Sequence, residues 1–95
     1  MDLRTRKSLE EEELAIDPAR IERDFRDTLR EWEVRPTGDG RVSEETAALL
    51  LGYDPGTLRN KRMQGTAPAA WKLGGRIWYK LPDLAAWLKA NLQEA

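Results

Sequence analysis

Within the run VSEETAALLLGYDPGTLRNKRMQG the chain is stopped twice and restarted once in 24 residues, which leaves little choice of local structure. Ser43 is a good helix N-cap, and the run from Glu44 ends at Gly52, the usual left-handed stop. Ala47, Leu50 and Leu51 are its inward residues. Asp54-Pro55 then offers a second cap followed by a proline preorganised for the first helical position. That helix runs to Gly65. Two short helices joined by a glycine-containing turn of about three residues make a helix-turn-helix.

The next stretch is built differently. Trp71-Lys72-Leu73 and Arg76-Ile77-Trp78-Tyr79 are β-prone runs separated by Gly74-Gly75. Two consecutive positive-φ residues suit a two-residue hairpin turn, and glycine supplies them without strain. A two-residue loop sets Trp71 across from Trp78; a longer loop shifts that register. Pro82 to Leu92 reads as a helix with Leu84, Trp87, Leu88 and Leu92 on one side. Arg41-Val42 is short enough to be a strand or a loop. Of the four tryptophans, more are expected in the core than on the surface. Trp87 is the clearest core case and Trp78 the least settled.

Upstream, Asp17-Pro18 starts a helix in which Ile21, Phe25, Leu29 and Trp32 recur at steps of four, four and three, one apolar stripe over about 18–33. RPTGDG ends it as a linker. The stripe is expected to pack either on its own domain or on a partner or second copy. Arg4, Arg6, Lys7 and the run Glu10 to Glu13 read as a solvated stretch or a frayed helix. The expected organisation is an acidic N-terminal segment with its helix over 1–40, and a helix-turn-helix unit with its hairpin over 41–95. The fold class is mainly α with a small β-hairpin.

Composition removes several functions. The chain contains neither cysteine nor histidine, so disulfides, thiolate zinc sites and the commonest general base are absent. No carboxylate cluster or phosphate loop replaces them, and no enzyme activity, metal or cofactor is expected. The N-terminus lacks a signal-peptide core, and no apolar run approaches a membrane span. The expected location is the cytoplasm. The net charge of −1 conceals −4 over residues 1–40 and +3 over residues 41–95.

The second helix of the pair carries the chemistry. With Leu58 inward, 100° per residue puts Gly56, Asn60 and Met63 on the far side, with Thr57, Arg59 and Gln64 close by. Arg can bridge guanine O6 and N7, and Asn can bridge adenine N6 and N7. Lys61 and Arg62 lie nearer the edges, where phosphates run. Lys72, Gly75 and Arg76 place a second basic element at the hairpin tip, where glycine permits close backbone approach. The bland alternative for the helix is a solvated surface, and for the tip an ordinary hairpin.

Residues 42–88 resemble the excisionase-like winged-helix DNA-binding domains, relatives of the MerR DNA-binding head and of AlpA-type phage regulators. The matching pieces are Ala47 to Gly52, Thr57-Leu58-Arg59, Lys72 to Arg76, Tyr79, and Asp83 to Leu88. The resemblance implies a winged helix-turn-helix preceded by an amphipathic helix. The helix from Pro55 to Gln64 would enter the major groove, with Gly74 to Arg76 as a wing. Members often carry tryptophan where this chain has Lys61, so Trp71 or Trp32 is expected to cover that site. The implied role is sequence-specific double-stranded DNA binding, as an excisionase or recombination directionality factor or as a small transcriptional regulator of phage or mobile-element type. A protein-interaction adaptor that keeps the fold without DNA contact is the rival.

Overall fold

The computed structural model describes residues 17–94; the Arg4–Lys7 and Glu10–Glu13 runs lie outside them. Asp17 opens the first helix, α1 (Pro18–Glu31), by accepting a hydrogen bond from the Ala19 N–H at 3.0 Å. Proline follows at the first turn, where its missing N–H costs nothing. The helix stops at Trp32 and Glu33, the latter at φ 58, and the Val34 N–H closes onto the Leu29 carbonyl at 2.9 Å.

The RPTGDG stretch is a bonded turn, not a free spacer. The Arg41 N–H donates to Thr37 Oγ1 at 2.9 Å, and the Thr37 N–H donates to the Arg41 carbonyl at 3.0 Å. The Asp39 carboxylate accepts from the Thr37 hydroxyl at 2.6 Å and from Arg41 Nε at 2.8 Å. Those two partners, the hydroxyl first, lower its pKa to about 2. Gly40 takes φ +79 and its carbonyl accepts from the Leu81 N–H at 2.9 Å. The turn therefore ties the end of α1 to the last helix and fixes the direction of the chain.

Arg41–Ser43 forms β1, followed by α2 (Glu44–Leu51), α3 (Pro55–Gln64), β2 (Trp71–Leu73), β3 (Arg76–Lys80) and α4 (Leu81–Asn91). The three strands form one antiparallel sheet in the order β1-β3-β2, so the hairpin expected from the sequence gains a third strand on its β3 side. Trp71 pairs with Trp78 and Leu73 with Arg76, the register of a Gly74-Gly75 loop. These four helices and one sheet make the described residues a small, mostly helical α/β unit.

One apolar cluster joins α1 to β1, α2, α3, β3 and α4. Ile21, Phe25 and Leu29 are buried with Val42, Ala47, Ala48, Leu58, Tyr79, Leu81, Leu84 and Ala85. The stripe offered for a partner or second copy is thus occupied by the chain's own α4 and its neighbours. Only Trp32, 43% exposed, remains outside.

In α2 Ala47 is buried as expected, with Ala48 beside it, and Leu50 and Leu51 pack half-buried against the same core while Leu49 is exposed. Small side chains there let the helix backbone lie close to its neighbours. Two expectations need correction. None of the tryptophans reaches the core: Trp32 and Trp71 are exposed, Trp78 and Trp87 half-buried. The α4 stripe is Leu81, Leu84, Ala85 and Leu88, which rotates Trp87 to the flank, edge-on to Tyr53 at 6.3 Å and 71°. Leu92 lies past the end of the helix and is exposed. No helix among the described residues is long and apolar enough to cross a membrane.

Phe25→Ala is expected to cost about 3–5 kcal/mol in urea unfolding, and Trp87→Ala about half as much. A chain beginning at Arg41 is expected to lose its cooperative melt, because it leaves Leu81, Leu84 and Ala85 uncovered. A sharp transition in that shortened chain would mean that α1 is dispensable.

Candidate nucleic-acid interface

The placement of α3 depends on two inward side chains one turn apart. Leu58 is fully buried. Four residues on, Arg62 shares its side of the helix and reaches the first turn of α2. There its Nε lies 2.6 Å and its Nη2 3.2 Å from the two Glu44 oxygens. The Tyr79 hydroxyl of β3 donates to the same carboxylate at 2.9 Å. Glu44 thus joins α2, α3 and β3 at one point.

The protonation of this trio follows from its contacts. The Arg62 guanidinium holds the Glu44 carboxyl below its ordinary value of 4.5, helped by the Tyr79 hydroxyl and by the nearby charge of Arg59. Burial, followed by the bond to Glu44, pushes the Tyr79 phenol above its ordinary 10.0. Glu44 in turn raises Arg62. At neutral pH the arrangement is a fixed carboxylate between a cation and a neutral hydroxyl donor.

With Leu58 and Arg62 turned inward, the opposite side of α3 faces solvent. Gly56, Thr57, Arg59, Asn60, Met63 and Gln64 are all exposed, Met63 to 72%. α3 starts without a side-chain cap: the Asp54 carboxylate makes no capping bond, and the Asp54 carbonyl takes the Thr57 and Leu58 N–H groups instead. Its end is closed at Gly65, φ +76, with the Thr66 N–H on the Lys61 carbonyl at 2.8 Å.

The expected contact residues take different positions. Thr57, Arg59 and Asn60 stand on the open side of α3 where the sequence put them, and Lys72, Gly75 and Arg76 are exposed on the hairpin. Arg62 is corrected: its guanidinium is engaged by Glu44 and holds the helix in place. Lys61 is half-buried, its Nζ 5.3 Å from the Tyr53 ring centre, so Tyr53 covers the site assigned to Trp71 or Trp32. The hairpin tip has φ 60 at Gly74 and 77 at Gly75, with open space around both, so backbone alone forms its end.

Glu44 and Tyr79 were not legible as partners. Glu44 looks like any acidic first-turn residue, and the two stand 35 positions apart. A hydroxyl-bearing aromatic at the buried end of a strand is the one available signal, since a buried tyrosine hydroxyl needs an acceptor.

Comparison with protein-family models, with curated proteins and with solved structures returns no match.

Tyr79→Phe is expected to lower stability by about 1.5–3 kcal/mol, the range for a hydrogen bond to a charged group. Glu44 is depressed in the folded state, so its contribution is complete above its unfolded pKa. That contribution falls away as pH drops through the lower folded value. Melting temperature measured from pH 7 to pH 3 should therefore fall more steeply in the native chain than in Glu44→Gln. Equal slopes would mean that the Arg62–Glu44 pair does not contribute.

Proposed function

We propose that the chain is a winged helix-turn-helix protein that binds double-stranded DNA with sequence preference. In this reading α2 and α3 are the helix pair, α3 enters the major groove, and the β2–β3 hairpin is the wing. The observation that carries the reading is the division of α3 into an anchored side and an open one. Leu58 and Arg62 hold it, while Thr57, Arg59 and Asn60 project into solvent together with Gln64. A helix that reads base edges must be rigidly held from behind, because positioning error directly weakens bidentate contacts. The exposed hairpin cations Lys72 and Arg76 support the same reading from a separate element.

The roles then divide by chemistry. Arg59 and Asn60 read base edges; Thr57 and Lys61 sit where the backbone passes; Lys72 and Arg76 bind phosphate or the adjacent minor groove, with Gly75 allowing close approach. A unit this small buries a limited area on DNA, so tight binding needs neighbouring copies on the duplex. Such a protein fits excision, as a recombination directionality factor, or transcriptional control in a phage or mobile element.

Binding to a random-sequence duplex pool should weaken about 100-fold between roughly 50 and 200 mM salt, as expected for about four phosphate contacts. On the best selected site, Arg59→Ala and Asn60→Ala should each cost about 1–3 kcal/mol and relax base preference. Lys72→Ala and Arg76→Ala should weaken all sequences alike. Absence of any shift at low salt would instead favour the adaptor that keeps the fold and has lost the DNA.

A further inference from the structure

The side of the sheet turned away from the core carries an unusual set of residues. Side chains alternate along a strand. Tyr79, buried, and Ile77, half-buried, point toward the helices, so Arg76, Trp78 and Lys80 point away. The register adds Trp71 and Leu73 from β2, and Arg41 from β1, to that outer face. Trp71 and Trp78 are direct cross-strand neighbours on it. Lys80 Nζ lies 4.4 Å from the Trp71 ring centre, and the Arg41 guanidinium lies 5.3 Å from that of Trp78. Trp71 Nε1 donates to Asp83 at 3.4 Å, and Trp78 Nε1 donates to the Leu73 carbonyl at 3.3 Å. Both indole N–H groups are therefore held at the edges, which fixes the rings, while each ring carries a cation over its face.

We propose that this outer face is a stacking platform for single-stranded DNA, with one base on each indole and the phosphates drawn to Arg41, Arg76 and Lys80. The occupant is dictated by the groups that sit over the rings. An apolar partner would bury Lys80 over the Trp71 ring and leave its charge without water, which is costly. A nucleic-acid strand gives the rings a π-face and the cations a phosphate in the same step. Two carboxylates adjoin this face: Asp39 is paired with Arg41, and Asp83 keeps its charge while accepting from the Trp71 indole N–H, so Lys80 and Arg76 are the cations of this face with no carboxylate partner among the described residues. The choice of DNA over RNA rests on the proposed duplex binding, since the platform is the outer face of the same β2–β3 hairpin whose tip is proposed to touch the duplex, where a locally opened strand would lie.

The probe is an oligo-dT 12-mer, followed by tryptophan fluorescence and by anisotropy of a labelled strand. Binding should quench the indole emission. Trp71→Ala should weaken it at least about tenfold, Trp71→Phe should recover most of the loss, and duplex affinity should stay as in the native chain. Arg59→Ala should do the reverse, losing duplex preference while keeping oligo-dT, so failure of one proposal is separable from failure of the other. If Trp71→Ala loses its cooperative melt, Lys80→Gln carries the test. Its salt dependence on oligo-dT should drop by about 0.7 in log–log slope, one phosphate contact on a single strand. Unquenched emission, or unchanged affinity in the folded Trp71→Ala and Lys80→Gln variants, overturns the platform. So does a dimer in sedimentation that Trp71→Ala dissolves, which would make the face a contact between copies. Tighter binding of oligo-U than oligo-dT overturns the assignment to DNA.

Discussion

The Glu44 carboxylate is the point on which the arrangement of the second half depends. It lies in the first turn of α2, takes the Arg62 guanidinium from α3 and the Tyr79 hydroxyl from β3, and is only slightly exposed. A half-buried ion pair of this kind is weak evidence for added stability, because desolvation offsets much of the attraction. Its stronger effect is orientational. Leu58 alone would let α3 roll about its axis, since a single apolar contact has little directionality. The two-nitrogen contact of Arg62 removes that freedom and sets which residues face outward.

The first helix is fixed in a comparable way. Its stripe completes the core, and the Thr37–Gly40 turn determines that it does so within its own chain. Asp39, held well down in pKa by Thr37 and Arg41, stays charged through the neutral range and keeps that turn closed. With the apolar side of α1 against α4, the exposed carboxylates Asp24, Asp27 and Glu31 lie on its outer side rather than on a tethered arm.

The sheet serves two surfaces at once. Its inner side supplies Val42 and Tyr79 to the core, and its outer side carries Trp71 and Trp78 as cross-strand neighbours. Two tryptophans there are covered by Lys80 and Arg41. Cation–π contacts at exposed sites contribute about 0.5–1 kcal/mol each, enough to orient the rings and too little to prevent exchange for another partner.

The order of residues alone was enough to locate most of the elements. Caps and stops at Asp17, Ser43, Gly52, Gly65 and Gly74-Gly75 act on their own backbone neighbours, so α1, α2, α3 and the hairpin were legible before any packing was known, while the Trp71–Trp78 register was settled only by the strand pairing. So was the outward face at Thr57, Arg59 and Asn60, because helical angle follows from spacing alone. What remained to tertiary structure was everything that joins distant residues. Arg62 and Lys61 are adjacent cations with the same local signals. One meets Glu44 and the other lies against Tyr53 only because of how α2, α3 and β3 converge. The tryptophans illustrate the same limit. Hydrophobicity predicts burial, but the space inside was filled by Leu29, Leu58, Tyr79, Leu81 and Leu84. Whether an indole enters a core depends on the volume left by its neighbours, a property that no single stretch of sequence contains.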